Sequence, residues 1–200
     1  MSLFFETIKI KNGDIFNLKY HNLRLNRTIS DIFGIKTDFN LRDFIQTPND
    51  NEMYRCKVIY SDKIESVSFE LYKPRVFNSF KVIEHCILYP YKSVYREEID
   101  KLYERREGCD DIILVKDGLV QDTSIANIAI YDGLKWYTPK TPLLQGTQRA
   151  KLLKNEIIIE KDIQIKYFKN IVSFAIINAL LGFQEIKDAK LHMQGYIDGK

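Results

Sequence analysis

Apolar and polar side chains alternate along the start of the chain, and this period of two predicts a β-strand. One side of that strand carries Phe4, Glu6, Ile8 and Ile10. Asn12-Gly13 follows directly, and this dipeptide is the preferred two-residue type I′ turn between two strands. The first twenty residues are therefore predicted to form a β-hairpin.

The spacing of apolar residues then changes to that of a helix. Leu25, Ile29 and Ile32 recur at helical intervals, and Gly34 stands where a glycine commonly ends a helix. Two runs rich in β-branched and aromatic residues come next. We predict strands there, over residues 53–61 and 64–72.

The second part of the chain is also predicted to mix strands with helices. Strands are predicted over residues 80–88, 112–115, 127–131, 163–167 and 172–177. Helices are predicted over residues 95–107 and 147–158. Because the strands mostly follow one another instead of alternating with helices, the predicted fold class is α+β. The polar stretch 75–79 is the best linker candidate, which gives a small N-terminal α/β subdomain over 1–75 and a C-terminal subdomain over 76–200.

Composition and charge narrow the class of protein. Hydrophobic residues make up 45% of the chain and charged residues 28%, the balance of an ordinary globular protein. The net charge of +3 is too small to indicate nucleic-acid binding. The longest apolar stretch, 171–183, is too short to span a bilayer, and the first residues lack the pattern of a signal peptide. We expect a cytoplasmic protein with no nucleic-acid or membrane partner.

Cysteine and histidine offer little chemistry. Cys56, Cys86 and Cys109 are far apart and form no C-x-x-C pair, so we expect neither a disulfide framework nor a zinc site. With only three histidines in the chain, no metal site is predicted.

Three segments carry candidate chemistry. Gly146 precedes a predicted helix that starts at Thr147, and the free N–H groups of a helix start suit a phosphate. Asp122 precedes small and polar residues and then a strand, which predicts a carboxylate held at a strand end. Lys92 lies among tyrosines, where a low dielectric can make an amine nucleophilic. Each signal alone is common in structural turns and solvated side chains.

In order along the chain, however, the segments resemble the class IV aminotransferase family, the fold-type IV enzymes that use pyridoxal 5'-phosphate (PLP). The resemblance covers nearly the whole chain. It rests on Phe5-Glu6-Thr7, His21-Asn22-Leu23-Arg24-Leu25, Lys92, the segment 118–128, Thr138-Pro139, Leu144-x-Gly146-x-x-Arg149 and Asn178-Ala179-Leu180. It implies two α/β subdomains of the D-amino-acid/branched-chain aminotransferase architecture, a PLP cofactor, a small-molecule substrate and a homodimer.

The resemblance also implies roles for individual residues. Lys92 matches the lysine that forms the Schiff base and moves the proton. Asp122 matches the acid that pairs with the ring nitrogen of the cofactor. The positions that match contacts to the cofactor phosphate are Arg24, the amides of Thr147 and Gln148, and Asn178.

Two neighbours of Lys92 have weaker assignments. Tyr95 could bind the ring hydroxyl of the cofactor, and Arg96 could bind a substrate carboxylate. The alternative for this pair is a core tyrosine and a surface arginine. His21 is expected to be structural.

The chain departs from the family at two points. Asp122 stands where the family usually has glutamate, so its carboxylate is one methylene shorter. The chain also begins at Phe4-Phe5, without the strands that normally precede this point in the family. We therefore expect part of the usual substrate pocket to be missing or supplied differently.

Two local features resemble the aminodeoxychorismate lyase branch of the family. They are Lys92-x-x-x-Arg96 and Ile177-Asn178-Ala179-Leu180. That branch converts 4-amino-4-deoxychorismate to 4-aminobenzoate and pyruvate on the route to folate. The alternatives are transamination of a branched-chain or D-amino acid, and a PLP-fold protein with little catalysis.

Overall fold

A computed structural model describes residues 2–193 and divides the chain into two compact units. Unit 1 extends from the N terminus to Pro74 and also includes Tyr91–Tyr95 and Ala179–Leu181. Unit 2 contains Arg75–Pro90, Arg96–Asn178 and the segment from Gly182 onward. The chain therefore passes from unit 1 to unit 2 after Pro74 and returns to unit 1 twice.

From residue 2 onward, unit 1 is an antiparallel sheet of four strands with one long helix. The strand order is β2-β1-β3-β4. The elements are β1 (Phe4–Lys11), β2 (Asp14–Ile15), α1 (Leu18–Phe33), β3 (Met53–Tyr60) and β4 (Ile64–Leu71), with a 3₁₀ turn at Leu41–Asp43.

Alternation in β1 places every second side chain in the core of unit 1, as the sequence predicts. Ile8 and Ile10 pack with Leu25 and Ile29 of α1, and all four are buried. Burying an isoleucine of this kind contributes about 1.5–3 kcal/mol. Glu6 lies on the same face and is also buried, so this core contains a carboxylate.

Two local predictions in unit 1 are confirmed: the turn at Asn12-Gly13 and the end of the helix at Gly34. Asn12 and Gly13 have φ of 51° and 75°, and a type I′ turn requires positive φ at both central residues. Gly34, at φ 71°, ends α1, and its N–H donates to the Ser30 carbonyl at 3.0 Å.

Up to residue 193, where its described part ends, unit 2 is a mixed sheet of nine strands with two short helices. Along the main path the strand order is β10-β9-β8-β7-β6-β5-β13, while β11 pairs with β8 and β12 pairs with β11. The elements are β5 (Ser79–Glu84), α2 (Glu97–Glu104), β6 (Asp111–Lys116), β7 (Leu119–Thr123), β8 (Asn127–Tyr131), β9 (Trp136–Pro139), α3 (Thr147–Lys154), β10 (Ile159–Lys161), β11 (Ser173–Asn178), β12 (Gly182–Ile186) and β13 (Lys190–His192). The β5–β6, β5–β13 and β9–β10 pairs are parallel.

The centre of the sheet in unit 2 is buried on both faces. All four residues from Ile112 to Val115 in β6 are buried, and so is the run from Phe174 to Ile177 in β11. Ile99 of α2 packs against Ile112. Leu152 of α3 packs against Ile177. Continuous apolar runs of this length are typical of strands covered on both sides.

Several boundaries differ from the sequence predictions. The predicted strand 163–167 is wrong, because a 3₁₀ segment, Ile165–Asn170, occupies most of it. The helix predicted over 147–158 ends at Lys154, since Glu156 has a positive φ of 56° that no helix continues through. The strands β7, β9, β10, β12 and β13 were not predicted. The α+β class itself is confirmed. Within residues 2–193, no helix has the length and apolar character needed to cross a membrane.

Candidate active site

A fully buried carboxylate organises the functional residues of unit 1. Glu6 of β1 accepts hydrogen bonds from two residues that lie three apart on α1. His21 Nδ1 lies 2.6 Å from Oε2, and Arg24 donates from Nε to Oε1 at 2.8 Å and from Nη2 to Oε2 at 2.5 Å. This two-pronged geometry fixes the plane of the Arg24 guanidinium.

The charges of this cluster shift two pKa values. Burial by itself would raise the pKa of Glu6, but the positive charge of Arg24 and the hydrogen bonds from His21 and Arg24 outweigh it and hold the pKa at about 2. Burial lowers the pKa of His21 in spite of its bond to Glu6. Glu6 and Arg24 therefore form a buried ion pair beside a neutral imidazole.

Lys92 lies outside the strands, in the segment between β5 and α2, and its backbone contacts β1 next to Glu6. Its carbonyl accepts from the Phe5 N–H at 2.9 Å, and its Nζ is 4.5 Å from the centroid of the Phe5 ring. The positive charge of Lys92 also contributes to lowering the pKa of His21. Lys92 and Arg24 thus contact two successive residues of β1, Phe5 and Glu6. Tyr95, in the same unit, is 56% exposed.

A second buried carboxylate lies in unit 2, near the end of β7. Asp122 is 3% exposed and accepts from Asn127 Nδ2 at Oδ1 (2.8 Å) and from the Leu144 N–H at Oδ2 (2.9 Å). Burial raises its pKa to about 7, although both hydrogen bonds favour the charged form. The predicted acid is therefore enclosed at a strand end, as expected, and its hydrogen-bond donors are neutral amides.

The turn before α3 approaches this acid closely. Gly146 is the N-cap of α3, and a Cβ at this position would lie 1.9 Å from Asn127 Oδ1. Its φ of −73° is open to any residue, so contact with Asn127, and not backbone strain, requires glycine here. The amides of Thr147 and Gln148 follow in the first turn of the helix, where N–H groups lack partners within the helix.

Arg149 has a structural position that the sequence did not assign. It is 2% exposed and donates to the Gln145 side chain, the Pro139 carbonyl and Glu160 at 3.0, 2.7 and 2.7 Å. Its positive charge also lowers the pKa of Asp122, against the larger effect of burial. Arg149 therefore fixes the loop that leads into α3.

Arg96 and Asn178 are the other two predicted side chains of unit 2. Arg96 donates from Nη2 to the Ser124 carbonyl at 3.0 Å, which ties it to the loop after β7. Asn178 ends β11, and the residue before it, Ile177, pairs with Asn127.

Sequence reasoning did not assign roles to Glu6, Asn127 or the Leu144 N–H. The first two are polar residues at buried strand positions, and this signal could have identified them.

Comparison with known proteins identifies the family of this chain. Residues 99–189 match the family described as "Amino-transferase class IV". The chain is 39% identical over 184 residues to a protein of Haemophilus influenzae Rd described only as uncharacterized, covering 89% of this chain and 97% of that protein. It is 30% identical to a candidate 4-amino-4-deoxychorismate lyase of Haemophilus somnus 129PT, with a TM-score of 0.84 over 91% of this chain and 98% of that chain.

The chain belongs to the class IV aminotransferase family. A candidate amino-acid aminotransferase of Mesorhizobium loti, 18% identical, has the same fold with a TM-score of 0.76 over 96% of this chain and 100% of that chain. So does a Mycobacterium tuberculosis hypothetical aminotransferase described as PLP-bound, with a TM-score of 0.75 at 14% identity over 98% of this chain and 84% of that chain.

These findings confirm the family and the enzyme class predicted from the sequence, and the predicted cofactor agrees with them. The roles of individual site residues in this member of the class IV aminotransferase family stay predictions, as do the homodimer and the cytoplasmic location. The family match spans Asp122, Asn127 and Gly146, whereas Lys92 and Arg24 lie outside it.

Proposed function

We propose that this member of the class IV aminotransferase family binds PLP and converts 4-amino-4-deoxychorismate to 4-aminobenzoate and pyruvate. The observation that carries the proposal is its 30% identity to the candidate lyase of Haemophilus somnus over nearly the full length of both chains. The motif Lys92-x-x-x-Arg96 supports the same branch of the family.

The chemistry of the donor set fits PLP. Lys92 supplies an amine for the cofactor aldehyde, and Asp122 supplies a carboxyl group for the ring nitrogen. When bound, PLP withdraws electrons from the bonds of the carbon that carries the substrate amine. The residues proposed to hold the phosphate are Arg24, Thr147, Gln148 and Asn178, and Tyr95 is proposed for the ring hydroxyl.

Lys92 is the base in this proposal. Its Nζ takes the proton from the substrate carbon that bears the amine, the bond between the neighbouring ring carbon and the ether oxygen then breaks, and enolpyruvate leaves and becomes pyruvate on gaining a proton at its methylene carbon. Because the product ring is aromatic, the reaction needs mainly orientation and one well-placed base. The pair of Glu6 and Arg24 supports that orientation, since it immobilises a cationic side chain beside β1, the strand to which the Lys92 backbone is hydrogen-bonded.

Asp122 and Arg96 have complementary tasks in unit 2. A protonated ring nitrogen beside Asp122 would favour its ionised form, and the pKa of about 7 leaves that carboxyl group responsive to such a cation. Arg96, anchored on the Ser124 carbonyl, is proposed to bind a substrate carboxylate with its remaining N–H groups.

A PLP-fold protein with little catalysis is the second candidate. The observation that favours it is that both oxygens of Asp122 already accept hydrogen bonds from the protein. Each carboxylate oxygen can accept two bonds, however, so a further donor can still be received.

The test is pyruvate release from 4-amino-4-deoxychorismate by the PLP-loaded protein, followed with lactate dehydrogenase and NADH. We expect Lys92→Met to lower the rate by a factor on the order of 10² to 10⁴. Lys57→Met is the matched control, because Lys57 Nζ also lies over the Phe5 ring, at 5.2 Å. Its rate should stay near that of the wild type.

Borohydride reduction followed by mass spectrometry gives a second readout. It should attach PLP to the peptide that contains Lys92, and not to the peptide with Lys57. Attached PLP with no pyruvate, but with keto acid from a D-amino or branched-chain amino acid, would replace the lyase by a transaminase. Attached PLP with neither product would favour the protein with little catalysis.

A further inference from the structure

One side-chain amide in unit 2 contacts both the buried acid and the turn before α3. Asn127 Nδ2 donates to Asp122 Oδ1 and to the Leu144 carbonyl, both at 2.8 Å. A third bond closes the triangle, because the Leu144 N–H donates to Asp122 Oδ2 at 2.9 Å. The carboxyl group, the amide and the backbone of residue 144 therefore hold one another in place.

The oxygen of the same amide restricts the next part of the turn. Asn127 Oδ1 lies where a Cβ of residue 146 would be, 1.9 Å from its ideal position. Real Cβ atoms essentially never approach another atom so closely, so a side chain at position 146 would displace Asn127 or the turn. The φ and ψ of Gly146, −73° and 142°, would otherwise accept alanine.

The strands place Asn127 where it can act on both groups. Asn127 begins β8 and pairs with Asp122 of β7 in the β7–β8 ladder. On its other side, Asn127 is the register partner of Ile177 in β11. Because both neighbouring strands fix its backbone, its side chain has little freedom to follow a displaced turn.

We propose that Asn127 is a positioning residue that sets the Asp122 carboxyl group and the Leu144–Thr147 turn in one fixed relation. The functional part of this inference rests on the proposed PLP binding: the acid for the ring nitrogen and the amides for the phosphate would be aligned by a single side chain. Loss of the Asn127 donor would also remove a hydrogen bond that lowers the pKa of Asp122, and the carboxyl group would then lose its proton only at a higher pH.

The first test needs no cofactor. Melting temperatures of the PLP-free protein are measured for Asn127→Ala, Gly146→Ala and the double variant. Gly146→Ala alone should lower the melting temperature by about 4 °C or more, because it overpacks the turn. In the Asn127→Ala background the same change should cost roughly 1 °C or less, since the obstructing oxygen is gone. Equal losses in both backgrounds would overturn the proposal.

Asn127→Asp distinguishes the effect of the side-chain oxygen near Gly146 from the effect of the Nδ2 donor. It keeps an oxygen near residue 146 but removes the Nδ2 donor, so Gly146→Ala should remain harmful in this background. If Asn127→Ala does not fold, the cycle is repeated with Asn127→Ser, which also removes the oxygen from the Gly146 side. If the losses in melting temperature from Asn127→Ser and Gly146→Ala simply add in the double variant, that result would also contradict the proposal.

The second test measures PLP affinity as a function of pH by absorbance titration. Asn127→Ala should weaken binding about tenfold or more and should move the pH dependence linked to Asp122 to higher pH. Gln121→Ala is the matched control, because Gln121 lies next to Asp122 in the chain and donates its amide to the Thr141 carbonyl at 3.0 Å. It should leave the pH dependence unchanged.

The two tests distinguish the failure of each proposal. Wild-type protein that binds no PLP would refute the proposed function, while the melting cycle would still decide the role of Asn127. If the wild type binds PLP and Asn127→Ala binds it with the same pH profile, the positioning role is refuted while the proposed function stands.

Discussion

The two units each bury a carboxyl group, and the two groups have opposite pKa shifts. Glu6 in unit 1 has a pKa of about 2, and Asp122 in unit 2 has a pKa of about 7. Both lie in strands, both are almost completely buried and both accept hydrogen bonds at each oxygen. The difference is that Glu6 faces the guanidinium of Arg24 at 2.5–2.8 Å, whereas the donors to Asp122 are neutral amides.

This difference shows that hydrogen bonds from neutral donors do not by themselves keep the pKa of a buried carboxyl group low. Two neutral donors leave burial as the dominant effect on Asp122, while a directly bonded cation reverses that effect for Glu6. Glu6 is therefore permanently ionised near neutral pH and serves to hold Arg24. Asp122 can change its charge near neutral pH, which suits a group that meets a cation only when a ligand arrives.

The largest expected effect comes from removing the charge of Glu6. Glu6→Gln should lower the free energy of unfolding by about 3–5 kcal/mol, because it leaves Arg24 buried without its counter-ion. Urea denaturation of the wild type and the variant measures the change. If the free energy of unfolding falls by less than about 1 kcal/mol, Arg24 finds another partner in the variant. The contrast drawn between Glu6 and Asp122 would then not hold.

Glu70→Gln is the matched control for this prediction. It breaks the Arg55–Glu70 pair on the same sheet, whose side chains are 44% and 61% exposed. Since exposed ion pairs contribute little, we expect a loss of about 0.5 kcal/mol or less.

The second prediction concerns stability as a function of pH in unit 2. Because the folded protein keeps a proton on Asp122 between pH 3.8 and about 7, it binds more protons there than the unfolded chain. The contribution of this group to stability should therefore fall as pH rises, by up to about 1.4 kcal/mol per pH unit. Asp122→Asn should remove this slope in urea titrations of the PLP-free protein. An unchanged slope would show that Asp122 does not hold the proton.

The smallest expected effect has the opposite sign and belongs to unit 1. The pKa of His21 is lowered from 6.5, so its contribution to stability is complete above pH 6.5 and declines as pH falls below that value. His21→Gln should make unfolding less sensitive to acid in this range, by a few tenths of a kcal/mol to about 1 kcal/mol. The same urea titrations measure it. An acid sensitivity equal to that of the wild type would assign the decline to another group.

Local patterns were enough to predict much of unit 1. The alternation in β1, the Asn12-Gly13 turn and the Gly34 helix end depend on neighbours in sequence, so the sequence reveals them directly. The strand predicted over 163–167 failed because its alternating isoleucines also fit a 3₁₀ segment whose buried residues, Ile165 and Phe168, are three apart.

The candidate site was predictable as residue types but not as a network. Family resemblance identified Asp122 and Arg24, yet the partners that set their charges come from other elements. The alternation in β1 predicts that Glu6 points into the core. Only the packing of α1 shows that its charge pairs with Arg24. Asn127 likewise gains its importance from the approach of Gly146, which no local pattern reveals.

The parallel pairing of β13 with β5 has a consequence for the order of folding. Lys190 pairs with Ser79, and its N–H donates to the Asn78 carbonyl at 2.8 Å, so one edge of this sheet is closed by residues far along the chain. During synthesis β5 leaves the ribosome long before its partner is made, and contacts between such distant residues form slowly. An uncovered strand edge is a template for pairing with other chains. One edge of β5 therefore stays uncovered in the nascent protein until β13 emerges, and we expect that edge to be a site of aggregation in this interval.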